Sequence, residues 1–218
     1  MSGFSSAPKL VAGGLVMVDP KTAQILQVIA LQYNPETVTR TLQVQGAGAD
    51  SGDRLDALRL KGAPIETIKI EAELDAIDQL ERPNENPEVV ELGLHPMLAA
   101  LESIVYPTAD RVQDNIDLAS FGTIEITPVE APLVLFVWSA QRVVPVRIGE
   151  MSITEELFDT NLNPIRARVG LSMRVLNIND LELGHRGAGI FFAHHREKER
   201  IAKSVVGDLS QLGITRLP

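Results

Sequence analysis

The sequence contains no cysteine. Disulfides, thiol nucleophiles and cysteine-ligated zinc or iron–sulfur sites are excluded with it. Aromatic residues make up only 4% of the 218 positions, against 44% apolar residues in all. The core must therefore be built from aliphatic side chains. No apolar run reaches the roughly 18 residues that a membrane-spanning helix needs. The opening "MSGFSSAPKLVAGG" lacks the basic end and apolar centre of a secretion signal. The expectation is a soluble protein made in the cytoplasm, with no membrane partner.

The chemical inventory is equally sparse. The histidines are His95, His185, His194 and His195. His95 precedes Pro96, a place for a helix start. His194 and His195 are adjacent, so on a helix they point about 100° apart and cannot form the i, i+4 pair of a metalloprotease. There is no G-x-S-x-G elbow. Two glycine-rich stretches, "GAGADSGDR" (46–54) and "GHRGAG" (184–189), lack the strand–turn–helix framing and the following Lys-Ser/Thr or distant acid of a phosphate or dinucleotide loop. These absences point away from an enzyme. No catalytic residue, cofactor or metal is expected.

Charge is present but uneven. The net charge is −9, and residues 66–130 alone hold 15 acidic and 3 basic side chains, while residues 131–218 hold 9 and 11. A basic surface for nucleic acid is not expected. The acidic stretch is either a solvated face or a docking surface for a basic partner.

The hydrophobic pattern is mostly that of strands. Residues 9–18 and 23–33 read as two strands around a turn at Asp19-Pro20, and 36–45 as a third beyond the corner "YNPE". The cleanest alternation is "ETIKIEAELDA" (66–76): Ile68, Ile70, Ala72 and Leu74 against Lys69, Glu71, Glu73 and Asp75. "APLVLFVWS" (131–139) is a continuous apolar run suited to a buried strand. Residues 142–176 form a long hairpin around "TNLNP", in which Ala167, Val169, Leu171, Met173 and Val175 alternate with Arg166, Arg168, Gly170, Ser172 and Arg174. The facing strand carries Glu150, Glu155, Glu156 and Asp159, so opposite charges can meet across the pair. One internal helix is predicted near 94–106 and a C-terminal one over 188–204; 81–93 reads as loop and the polar stretch to about 122 as irregular.

"LQYNPETVTRTL", "RLKGAPIETIKIEAELDA", "HPMLAALESIVYP" and "PLVLFVWSAQRVVPVRIGEMSITEELFDTNLNPIRARVGLSMRVL" occur in this order over roughly residues 10–180. The series resembles the tube-type baseplate proteins of contractile injection systems, the phage-tail-like particles whose longer tube-protein members end in a LysM domain. That resemblance implies a mainly β (α+β) fold: a tail-tube-like antiparallel β-barrel, or two packed sheets, with one internal and one C-terminal helix. It implies a domain over 1–180 and a helical extension over 181–218, with no LysM repeat and so no cell-wall binding carried over. It implies a homo-oligomeric ring, six-fold, acting without catalysis as an adaptor between spike or hub and inner tube, assembled in the bacterial cytoplasm within a particle that is releasable from the cell. An inner tube subunit and a ligand-binding β-barrel are the alternatives. Expected interface residues are Arg166, Arg168, Arg174, Glu155 and Glu156 of the hairpin, with Phe191 and Phe192 of the last helix.

Overall fold

The structure, a computed structural model, describes residues 11–46, 59–120, 131–182 and 184–216. Among these residues there are seven strands: β1 (Gly14–Val18), β2 (Ile25–Ala30), β3 (Val38–Gln43), β4 (Ile65–Asp75), β5 (Leu133–Ser139), β6 (Arg142–Phe158) and β7 (Pro164–Val175). They form one antiparallel sheet in the order β2-β1-β5-β6-β7-β4-β3. The fold is thus mainly β, of the α+β class. The long hairpin is β6 and β7, and the alternation at 66–76 is β4, whose residues from Glu66 to Leu74 bury every second side chain. Residues 9 and 10 of the first expected strand, and 47–54 of the glycine-rich loop, lie outside the described residues.

The sheet is rolled, and Gln32, just ahead of the corner "YNPE", holds the roll. Gln32 lies two residues past β2, yet its amide donates to Asp75 O at 2.6 Å and accepts from Asp75 N at 2.9 Å on β4. Five inter-strand steps separate β2 from β4; laid flat they would span about 24 Å, beyond the reach of two residues and a side chain. Asn34 accepts from Gly13 N at 2.8 Å and donates to Val11 O at 2.9 Å. Gln32 is therefore the staple across the seam, its side chain taking the place of strand pairing, while Asn34 of the corner ties the chain to the segment ahead of β1. Pro35, which has no N–H to donate, suits such a position.

The rolled sheet encloses a single aliphatic core. Leu15, Ile29, Ile68, Leu74, Phe136, Val144, Val146, Val169, Leu171 and Met173 are among its members. Leu98 and Leu101 of the helical insertion and Phe191 of the last helix complete it. Each fully buried aliphatic side chain contributes on the order of 1.5–3 kcal/mol. β6 carries a bulge between Ile148 and Glu150, so its 13 residues from Val146 to Phe158 run beside the 12 of β7, while its first residues pair with β5 alone.

Two helix expectations need correction. Among the described residues four internal helices are present rather than one: α1 (Ile77–Leu80), α2 (Pro87–Leu92), α3 (His95–Glu102) and α4 (Ala109–Ser120); α5 (Arg186–Ala202) follows the sheet. Residues 81–93 were expected as loop because of their prolines, but Pro87 stands in the first turn of α2, where a missing N–H costs nothing. Residues 109–120 were expected to be irregular because polar side chains dominate. They are helical, with Val112 and Ile116 one turn apart and exposed by 43% and 56%.

The insertion is pinned to the hairpin tip. Leu94 N donates to Pro164 O at 2.9 Å, and the Asn163 amide donates to Glu91 O at 2.9 Å. Within the tip, Asp159 accepts from Asn161 N at 2.7 Å and Asn163 N at 2.8 Å. These hydrogen bonds are the leading cause that holds its carboxyl below the usual range.

Candidate assembly surfaces

Among the described residues, β2 pairs only with β1 and β3 only with β4. Each leaves one row of backbone N–H and C=O groups unpaired by strand. Such edges are templates for another chain, and monomers usually blunt them with charge or proline. β2 does the opposite. Ile25, Leu26 and Val28 are 61%, 50% and 62% exposed, and β3 adds Leu42 at 48%. A charged residue appears on β3 only at Arg40, which turns to Glu66.

The hairpin arginines lie on the outer face of the sheet in a three-strand register. Asp75, Arg166 and Glu156 form one row; Glu73, Arg168 and Thr154 the next; Thr67, Arg174 and Arg147 a third. Arg166 donates to Asp75 Oδ2 from Nε at 2.9 Å and Nη2 at 2.7 Å. Arg168 donates to Glu156 Oε1, with Nε at 3.0 Å, and comes within 3.9 Å of Glu71. In both arginines the bonded carboxylate raises the guanidinium pKa further. Arg174 donates to Asp180 Oδ1 at 2.5 Å, while its Nε is buried without a partner. Glu155 is exposed and lies opposite Ala167 rather than an arginine. Exposed pairs of this kind are worth only about 0–1 kcal/mol each, so the ladder fixes side-chain order more than stability.

The phenylalanines divide. Phe191 is 9% exposed and joins the core; Phe192 is 41% exposed and meets it edge-on at 6.5 Å. Phe191 also stacks on His195, at 6.2 Å between ring centres. The hairpin tip adds Leu157, Phe158 and Leu162, exposed by 54%, 50% and 77%. Leu157 and Leu162 have φ of 53° and 65°, a left-handed backbone that L side chains rarely adopt.

The remaining histidines have local duties. His185 caps α5, its Nδ1 accepting from Gly187 N at 3.0 Å, which explains "GHRGAG" as a helix start. Nδ1 of His194 lies 3.1 Å from Gln141 O. Among the described residues, no three His, Asp or Glu side chains gather as metal ligands would. An opening of about 340 Å³, mainly apolar, lies between Ile104, Leu133, Val146, Ile148 and Leu181.

One cluster was not anticipated from the sequence. Arg40, Glu66, Arg142, His194 and Lys198 converge under α5. The signal available was Glu66 itself, which shares the parity of Ile68 and Ile70 and so had to face the core. Burial, followed by the charge of Lys198, lowers the His194 pKa; Arg40 acts in the same direction, while the Gln141 carbonyl and Glu66 oppose it. A histidine with a depressed folded pKa adds stability that is complete above its unfolded value, about 6.5, and is lost as pH falls through the folded value. The melting temperature is accordingly expected to drop on going from pH 7 to 5, and His194→Gln to flatten that drop. Parallel thermal melts of the two proteins across this range check it.

No protein-family model matches the chain, and no curated protein matches it. Among solved structures, similar chains occur in the tail of an empty gene transfer agent (GTA) particle with C6 symmetry and in the virion of the native GTA particle. The first is 12% identical, with 75% of this chain and 90% of that chain covered and a TM-score of 0.29. The second has the same identity and coverage, with a TM-score of 0.28.

Proposed function

We propose that the chain is a non-catalytic structural subunit of a phage-tail-like contractile injection particle. Copies associate through their sheet edges into a ring, six-fold by the family resemblance. The ring joins the central spike or hub to the inner tube and starts tube assembly. The observation that supports this reading best is the pair of open strand edges at the two ends of one rolled sheet, the β2 edge apolar, and neither carrying a proline or any charge but Arg40, which turns to Glu66. β2 of one copy can pair with β3 of the next, extending the sheet round a closed circle and hiding Leu26 and Val28. The domain over 1–180 forms the body of the ring. The extension over 181–218 offers Phe192 to a neighbour, Arg166, Arg168, Arg174 and Glu156 present an ordered charged face to a partner, and Glu155 stands exposed on the other side of the sheet. Assembly takes place in the bacterial cytoplasm. The inner tube protein and the spike or hub are the expected neighbours.

Leu26→Lys with Val28→Lys tests the edge. Both side chains already face solvent, so the monomer should fold with a melting temperature close to that of the wild type. Ring formation in the presence of spike and tube partners should be lost, as read by negative-stain microscopy and native mass spectrometry. Rings of normal abundance would remove the edge-pairing reading. An inner tube subunit of the same particle is the alternative, and copy number in intact particles separates the two: one or two rings for an adaptor, many for a tube.

A further inference from the structure

α4 and the C-terminal tail each present apolar side chains that nothing among the described residues covers. Along α4, Ala109, Val112, Ile116 and Ala119 recur at helical spacing and share one face, with Asp110, Asp114 and Asp117 on the opposite one. All of these residues are exposed, and the helix buries none of its side chains. After α5 the chain keeps a defined course. Ser204 N and Val205 N donate to Ile201 O and Ala202 O, and Asp208 caps a 3-10 turn over Leu209–Leu212. Val205 and Val206 nevertheless stand 80% and 87% exposed, and Ile201, Leu212 and Ile214 are exposed as well. From Ile201 to Arg216 only Leu209 is half-buried. Fixing a segment costs conformational entropy that burial normally offsets. Here the apolar surface that would offset it faces outward on both pieces, as it does at sites that a protein partner completes.

Charge and position fit the two pieces to each other. α4 holds three aspartates and one arginine, whereas residues 200–216 hold Arg200, Lys203 and Arg216 against Asp208. Opposite signs steer one surface onto the other. Within one copy the two leave from opposite ends of α5. Val105, just ahead of α4, shares an opening with His185, which caps the start of α5. The tail departs after Lys203, beyond the 17 residues of that helix, or about 26 Å further on. Across a β2–β3 contact they come together. Ser103 Oγ donates to Gln27 Oε1 of β2 at 3.2 Å, so α4 springs from the β2 side. Lys198, near the end of α5, lies 3.3 Å from Glu66 Oε2, and Glu66 holds Arg40 of β3. The tail therefore springs from the β3 side. Pairing β2 of one copy with β3 of the next brings α4 of the first toward the tail of the second.

We propose that the apolar face of α4 is a docking surface for the C-terminal tail of a second copy of this chain, its neighbour within the ring, with Val112 and Ile116 meeting Val205 and Val206. The inference rests on the ring reading above and gives the C-terminal extension its partner.

The absence of native cysteine makes a cross-linking test direct. Full-length Ile116→Cys and full-length Val206→Cys are mixed with the spike and tube proteins and mildly oxidised. Both positions are exposed, so both variants should fold. A disulfide forms only where two Cα atoms come within about 7 Å. Linked pairs containing one chain of each kind should exceed those from Glu88→Cys mixed with Val206→Cys by at least about tenfold, because a held contact raises the effective concentration. Glu88 is equally exposed but lies at the hairpin-tip end of the insertion. Adding Val112→Lys to the Ile116→Cys chain should return the yield to that of the Glu88 control. A chain carrying both Ile116→Cys and Val206→Cys should give linked oligomers rather than an internally linked monomer. If rings form but the yield equals the control, survives Val112→Lys, or gives way to an internal link, the docking is overturned and the ring reading stands. A selective cross-link without rings upholds the docking and overturns the ring. Absence of both the cross-link and the rings overturns both.

Discussion

Val169→Asp is expected to yield no folded protein. Val169 is fully buried in β7, between Ala72 of β4 and Ile153 of β6. It belongs to the face that every inner strand presents to the core. An ionised carboxylate there has no cation within the core to meet it, and the effective cost of burying an unpaired ion is several kcal/mol. Domains are stable by about 5–15 kcal/mol in total. Neutralising the side chain by protonation reduces the penalty but still leaves a buried polar group without a partner. The expected readout is insoluble expression, or a soluble chain with no cooperative melt by circular dichroism. Leu171→Asp, two residues along the same face, should behave alike. A cooperative transition near the wild-type temperature would mean that the inner face of β7 is not core.

Gly93→Ala should be nearly as damaging, through the backbone rather than through polarity. Gly93 ends α2 with φ of 56° and ψ of −133°, a conformation that costs other residues about 1–3 kcal/mol. A Cβ placed there would sit 2.6 Å from Pro164 O and 2.9 Å from Asn163 Cβ. The methyl group must push the insertion off the hairpin tip, breaking the Leu94–Pro164 hydrogen bond and the Asn163–Glu91 contact. Together these imply a loss of about 3–5 kcal/mol. For a chain of this size each kcal/mol lowers the melting temperature by roughly 2–4 °C. Thermal unfolding should show a drop of about 6–20 °C, and hydrogen exchange should quicken first in α2 and α3. An unchanged melting temperature would separate the insertion from the stability of the sheet.

The parts of the fold that were legible in the sequence are those where neighbours in sequence share one environment. β4 and β7 alternate because each has one face on the core and one on solvent, and alternation is visible in a single line of letters. The "YNPE" corner was legible as a corner, but the staple made by Gln32 just ahead of it was not, because its partner Asp75 belongs to a distant segment. α4 was hidden because Asp110, Asp114 and Asp117 outweigh Val112 and Ile116 in any reading by composition, and the helix buries nothing that would sharpen its pattern. The interface candidates were legible as charges on a shared face. Arg168 meets Glu156 of the facing strand, as the pattern allows, whereas Arg166 turns to Asp75, 91 residues away. The cationic cluster was least accessible of all. It joins four segments, with Lys198 and Glu66 separated by 132 positions, and no spacing rule reaches that far.

The bulge in β6 has a further consequence for how this strand is written. Ahead of it, Val144, Val146 and Ile148 point to the core on even numbers; beyond it, Met151 and Ile153 do so on odd numbers, opposite Leu171 and Val169. Gly149 thus works as a frameshift within a single strand. The two halves of β6 are spelled in different frames, and one extra residue keeps both in phase with an uninterrupted β7. A chain lacking that residue would have to turn either Val144 and Val146 or Met151 and Ile153 away from the core. The middle of the hairpin therefore admits no gain or loss of a single position.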